Sequence, residues 1–292
     1  MKITVLFRRA VPIVCLPLCV CAEGVAGARA AEKDGAEAQF RRGVMLLDAC
    51  DDGAKAYEAA GWIRKAADAG HLPAQCQMGL LHLDGLGVRK DDGKAARWFE
   101  RAAKGGHREA QFRYGEMLRD GRGVAKNIRE AVVWIGKAAE TGHVAAQCQM
   151  GLFFMTGLGV DRDEDKAVEW LEKAARQNHA QAQYNLGLYH ARFSDKESIR
   201  LALKWLNEAA KQDYADAEYN LAKLYLNPHH PACKEQGAGR RAIQLLRLAA
   251  VQGHVGAKKM LEELGCDVPQ PPIGTDELRQ REAATLIHNA AF

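Results

Sequence analysis

The chain has 292 residues, a formal net charge of +4, 48% hydrophobic residues and 27% charged ones. Residues 1–30 hold four basic residues and one acidic one, which leaves 37 basic and 36 acidic residues downstream, a net of +1. No basic stripe with interleaved aromatics remains there, which argues against nucleic acid as a partner, and no second run of about 18 apolar residues exists to hold the exported chain in a membrane.

In chain order, the first message is an address. Lys2, Arg8 and Arg9 precede an apolar stretch from Ala10 to Ala22, and Ala28-Arg29-Ala30 supplies the small residues that a signal peptidase accepts. The pattern predicts a signal peptide over 1–30, cut after Ala30, and an exported protein in a bacterial periplasm or secreted beyond it. The apolar stretch, broken by Pro12 and Pro17, is too short to span ~30 Å of hydrocarbon. Cys19 and Cys21 follow Leu18 and Val20, so neither stands where a lipoprotein would be acylated.

A repeat array follows over residues 31–268. Trp62, Trp98, Trp134, Trp170 and Trp205 recur at intervals of 36, 36, 36 and 35 residues, the mark of a chain built by stacking copies of one unit. Copies run from Ala74 to His107, Ala110 to His143 and Ala146 to His179. A degenerate first copy begins near Ala38, a fifth at Ala182, a sixth at Ala217, and a half unit covers Ala257 to Leu264. Within a unit, Ala74, Met78, Gly79 and His82 form one helical stripe, and Ala95, Trp98, Ala102 and Ala103 form a facing one. Gly85 and Gly87 lie between them and permit a tight reversal, so the two helices pack antiparallel. Gly43, Gly79, Gly115, Gly151 and Gly187 sit inside first helices, where glycine costs about 1 kcal/mol against alanine. The recurring cost predicts a notch filled by the indole or one of its neighbours.

The run A-x-x-x-x-G, then G-x-G-V, then K-A-x-x-W-x-x-K-A-A and G-H resembles the Sel1-like repeat, a relative of the tetratricopeptide repeat. Lys166-Ala167, Trp170 and Lys173-Ala174-Ala175 give a near-complete instance. The resemblance covers residues 38 to about 264. It implies an all-α fold, a right-handed superhelical solenoid of antiparallel helix pairs. The fifth unit departs from it, with Ala191-Arg192-Phe193-Ser194 in place of the glycine turn. In the sixth, Leu245 replaces the tryptophan and Asn227 to Gly239 forms an insertion.

Reactive centres are scarce. His71, His107, His143, His179 and His254 match the family's Gly-His position, and unit spacing on the order of 10 Å keeps them from one metal ion. His229, His230 and Cys233 share a proline-stiffened loop that reads as structural. Asp161, Asp163, Glu164 and Asp165 precede a helix, where acids favour the dipole. Ser194 and Ser198 are the only serines after residue 30, and neither lies in a hydrolase-type turn. The reading is therefore a protein without catalytic residues, cofactor or metal. Cys76 and Cys148 stand two units apart, beyond the ~7 Å reach of a bridge, and read as buried free thiols. Cys233 and Cys266 fall on one edge of the stack, where an oxidising compartment would allow them to pair or leave them free; Cys50 is left over. A cysteine-rich branch of the family is linked to penicillin binding or hydrolysis, and this chain lacks that branch's paired cysteines, so the resemblance carries a β-lactamase-like activity only as the alternative.

Surface remains. Solenoids use their concave face, lined by first helices, for peptides and partner proteins. The variable position two before the notch glycine holds Gln77, Arg113, Gln149, Asn185 and Asn220, a polar row that is the candidate partner-binding site. One register over, Gln75, Gln111, Gln147 and Gln183 read as bridges between units. Residues 269–275 form a proline-rich linker, and 276–292 reads as a helix with Leu278, Ala283, Leu286 and Ile287 on an apolar side, either capping the array or docking a partner. The whole reads as an exported scaffold or adaptor, regulatory in role, that binds a protein or peptide; oligomeric state is not legible.

Overall fold

The computed structural model describes residues 35–49, 53–234 and 236–269. The predicted signal peptide, Cys50, all but Pro269 of the linker and the predicted carboxy-terminal helix lie outside the described residues. The described part is built from α-helices: α1 (Ala36–Asp48), α2 (Gly53–Asp68), α3 (Leu72–Asp84), α4 (Asp92–Lys104), α5 (Arg108–Asp120), α6 (Ile128–Glu140), α7 (Val144–Thr156), α8 (Glu164–Arg176), α9 (Ala180–His190), α10 (Lys196–Ala210), α11 (Ala215–Leu226), α12 (Ala238–Val251) and α13 (Val255–Glu263). The helix-to-helix packing follows the order of the chain, each helix lying against the next. This is the layout of a solenoid, in which a unit touches only its neighbours.

The helix ends are set by local sequence. The side chains of Asp91, Asn127, Asp163 and Asp195 accept main-chain N–H bonds at the starts of α4, α6, α8 and α10, satisfying donors a helix leaves open. This accounts for Asp163 within the acidic run. At the starts of α3, α5, α7, α9 and α13 the capping group is the imidazole of His71, His107, His143, His179 and His254, whose Nδ1 accepts from the main chain three residues on. First helices of three units end at Gly85, Gly121 and Gly157 in the left-handed region, with φ of 76°, 72° and 72°. The next turn glycine does a second job: a Cβ on Gly87 or Gly123 would run into the backbone of the preceding unit's second helix, at Ala56 or Asp92. The loop of one unit thereby docks on the unit before it.

The core is a series of small clusters shared between neighbouring units. One joins Ile63, Ala66 and Ala67 of α2 to Ala74 and Met78 of α3, and Trp98 of α4 packs along its edge. The paired alanines Ala66-Ala67, Ala102-Ala103, Ala138-Ala139 and Ala174-Ala175 are all buried, and their small side chains bring successive helices close. Within each unit the notch is filled by the residue after the tryptophan: Phe99 at Gly79, Ile135 at Gly115, Leu171 at Gly151, Leu206 at Gly187 and Ile63 at Gly43. Each of these five fillers is fully buried, a contribution of about 1.5–3 kcal/mol apiece. The indoles sit higher: Trp62, Trp98, Trp134 and Trp170 are half-buried, and Trp205 is buried. Lys65, Lys137 and Lys173 lie 4.4, 4.3 and 4.0 Å from the ring centroids of Trp62, Trp134 and Trp170, each within cation–π range.

The sixth-unit insertion folds into a 3-10 turn, Pro231–Lys234, whose Ala232 is buried in the last cluster. Its final residues join α12, because Gly237 at φ 80° sets the start of that helix. Cys76 and Cys148 are buried free thiols, and burial pushes both up to about 12. Cys233 and Cys266 stand as separate, half-buried thiols, each turned to a carbonyl of its own segment, Pro228 O at 3.5 Å and Leu264 O at 3.8 Å.

Candidate interaction surface

The row Gln77, Arg113, Gln149, Asn185 and Asn220 lies on α3, α5, α7, α9 and α11 at half-buried positions. The structure ties parts of it together. Arg119 donates to Gln149 Oε1 at 3.1 Å, and Asn220 donates to the Tyr184 hydroxyl at 3.2 Å, each bond crossing from one unit to the next. Arg113 is held on its own helix by Glu109 at 2.7 Å and Glu116 at 3.5 Å. Asn185 Nδ2 is buried and finds no acceptor among the described residues. Three residues on, Leu80, Glu116, Leu152 and Leu188 form a second half-buried column along the same helices. That column was not singled out from the sequence, although it follows directly after each notch glycine. Burial among these side chains raises the Glu116 carboxyl above the usual range.

Beneath this surface the glutamine register bridges units. Gln75, Gln111, Gln147 and Gln183 donate to Ala67 O, Ala103 O, Ala139 O and Ala175 O at 3.1 to 3.3 Å. The oxygens of Gln147 and Gln183 accept from Gln177 and Gln212 at 2.7 Å. Gly105 and Thr141 occupy the matching places in the second and third units, and there Gln75 Oε1 and Gln111 Oε1 are buried without a partner. At the unit junctions, His71 Nε2 meets Glu37 and His143 Nε2 meets Glu109, both at 2.8 Å, and His254 meets Asp216 at 3.2 Å. The His143 hydrogen bond, with help from Arg113, holds the Glu109 carboxyl down at about 2. Pro73 and Ala145 replace the acid facing His107 and His179, and burial lowers both imidazoles below their usual range.

No three His, Cys, Asp or Glu side chains converge as metal ligands among the described residues. No described helix is long and apolar enough to cross a membrane. Fold and surface together define a class: an α-solenoid of repeated helix pairs whose first helices present a graded polar and apolar face. The Sel1 repeat model matches residues 36–71, 72–107, 108–143, 144–179, 180–214 and 215–254, and the chain belongs to the Sel1 repeat family. That family typically mediates protein–protein interaction. Among solved structures, the chain is similar to c5321, a protective antigen present in uropathogenic Escherichia coli strains displaying an SLR fold, with a TM-score of 0.71 and 26% identity over 90% of this chain and 54% of the other. It is also similar to a Sel1 repeat protein from Oxalobacter formigenes, with a TM-score of 0.67 and 30% identity over 81% of this chain and 67% of the other. The chain thus spans about half the length of c5321. No curated protein matches it.

Proposed function

We propose that this protein is an exported scaffold that binds another protein along its first-helix face, without catalysing a reaction. The observation that carries the reading is the continuity of that face. Five of the six matched repeats contribute Gln77, Arg113, Gln149, Asn185 and Asn220 on successive first helices, next to the half-buried Leu80, Leu152 and Leu188. Such a surface offers hydrogen-bonding groups next to half-exposed apolar side chains, the mixture that recognises an extended segment. The signal-like amino terminus supports export to a periplasm or beyond, and a regulatory role follows from a scaffold that has a partner and no chemistry of its own.

The test has two parts. Amino-terminal sequencing of the protein recovered from the cell envelope is expected to begin near Ala31, and an intact Met1 overturns the address. Affinity capture from the same fraction, followed by identification of what co-elutes, is expected to yield a partner whose retention falls with Asn185→Arg and Leu152→Glu together. Retention unchanged by that pair, in a folded variant, removes the first-helix face as the docking site.

A further inference from the structure

The repeat supplies its own controls, because the position four before the tryptophan changes from unit to unit: Glu58, Lys94, Glu130, Lys166 and Leu201. In the first unit Glu58 accepts the Trp62 indole N–H at 3.4 Å, and in the third Glu130 accepts that of Trp134 at 3.3 Å. In the second unit the residue four before the tryptophan is Lys94, a donor, so α4 supplies no acceptor to Trp98; the fourth unit shares that lysine as Lys166, but has Gly136 and Glu169 where the second has Arg64 and Arg97. Around Trp98 lies an open cleft of about 320 Å³ lined by Arg64, His82, Lys94, Arg97, Trp98 and Arg101. Arg64, Lys94, Arg97 and Arg101 place four positive charges there. The equivalent positions around Trp134 are Glu100, Glu130, Val133 and Lys137, a net of one negative charge.

The cations are only loosely committed within the protein. Lys94 Nζ lies 3.8 Å from Asp91, whose carboxylate already caps α4 through the Lys94 N–H at 2.8 Å. Arg97 Nε reaches Gly93 O at 3.4 Å, and the Arg101 guanidinium lies 5.6 Å from the Trp98 ring centroid. A second observation points to a ligand. His82, in the cleft wall, is 4% exposed; its Nδ1 meets the Arg89 carbonyl at 3.2 Å, which places the proton there, and its Nε2 is buried with no partner. Its counterparts in the next two units are Leu118 and Phe154, so the fold itself does not require a polar group at this position.

We infer that this cleft, on the second-helix side of the array, binds a carboxylate-bearing segment of the protein partner; the inference rests on the protein-binding reading above. The guanidinium forks match a carboxylate, and the indole N–H adds a neutral donor. The face of Trp98 accepts an apolar neighbour, and Trp and Arg are the residues that most often dominate binding energy. The His82 nitrogen in the cleft wall lacks a donor, and a peptide N–H beside the acidic side chain is the group that supplies one. A bare inorganic anion leaves the indole face unmet.

The five indole N–H resonances of the ¹⁵N-labelled protein read the site directly, with Trp98→Phe identifying its signal. Acetyl-Leu-Glu-Glu-Leu-amide is expected to shift the Trp98 resonance saturably and leave that of Trp170 in place. The glutamine analogue of the peptide, and sodium phosphate at matched ionic strength, are expected to do neither. Lys94→Glu restores the arrangement of the first and third units, so it is expected to keep the thermal transition while weakening the peptide about tenfold, equivalent to ~1.4 kcal/mol; Arg97→Gln weakens it as well. An equal response to the glutamine peptide or to phosphate, or unchanged peptide binding by Lys94→Glu, overturns the inference. A captured partner that binds wild type and Lys94→Glu alike also overturns it, while leaving the scaffold reading intact.

Discussion

Gly79 faces the ring of Phe99 so closely that a Cβ added to the glycine would lie 2.6 Å from Phe99 Cε1. Phe99 is fully buried, and the ring has no flexible end to withdraw. The relationship explains a glycine in the middle of α3: its propensity cost is offset by the closeness of α4.

Gly79→Ala is therefore expected to destabilise the protein by up to about 2 kcal/mol, an overpacking cost of ~1–3 kcal/mol less the ~1 kcal/mol that alanine gains as a helix former. Gly61, in α2, has nothing within 4 Å of an added Cβ, and Gly61→Ala is expected to stabilise by about 0.4–1 kcal/mol. Urea unfolding of the two variants checks the contrast; if both move the midpoint upward, the notch is not a packing constraint.

Gln177 satisfies the buried oxygen of Gln147 at 2.7 Å. Gln177→Ala is expected to cost about 1 kcal/mol by leaving that acceptor unmet. The reverse change, Thr141→Gln, offers a donor to the unpartnered Gln111 Oε1 but gives up the Thr141 hydroxyl bonds to Ala138 O and Lys137 O. A gain of less than ~1 kcal/mol is expected. Thermal melts of both variants decide it, and a Gln177→Ala protein as stable as wild type would falsify the bridging role.

Protonation of His107 or His179 removes the Nδ1 lone pair that caps α5 or α9. Both imidazoles are depressed in the folded protein, chiefly by burial, so the unfolded chain binds protons more readily. Their contribution is present above the ordinary histidine pKa of about 6.5 and is lost as pH falls through the lower folded value. Asparagine also caps helices; His107→Asn with His179→Asn is expected to flatten the loss of stability on acidification below pH ~6.5. Denaturation midpoints between neutral and mildly acidic pH measure the slope, and an unaltered slope places its origin elsewhere.

Glu109 behaves in the same sense at lower pH. Its folded carboxyl, held near 2 first by His143 and then by Arg113, contributes stability that is present above the ordinary glutamate range. That contribution disappears as pH falls toward the folded value. With about a third of the side chain exposed, solvent screening limits it to on the order of 1 kcal/mol. Glu109→Gln is expected to lose that amount at neutral pH and to differ little from wild type near pH 2, measured as the difference in unfolding free energy across that range. Equal stability at neutral pH shows the pair to be energetically silent.

Much of the architecture was legible because a period of 36 residues announces itself in the spacing of Trp62, Trp98, Trp134 and Trp170. The glycine notch was legible too, since a costly residue recurring inside a helix needs a packing reason, but its occupant was not. Phe99 and Trp98 are neighbours in sequence, and only the rotation of α4 decides which of them meets Gly79. The column of Leu80, Leu152 and Leu188 was present in the aligned units and hidden by its ordinariness, because a leucine in a helix reads as core until its exposure is known.

By itself the sequence determined the unit, its two helices, their reversal at paired glycines and the number of copies, because these depend on local spacing and backbone freedom. Tertiary structure decided which buried groups are left without partners, among them Gln111 Oε1 beside Thr141, Asn185 Nδ2 and His82 Nε2, and it gathered Arg64, Lys94, Arg97 and Arg101 around Trp98. Those depend on distances between residues some 30 positions apart in the chain, set by how one helix pair settles on the next, and no periodicity along the chain encodes them.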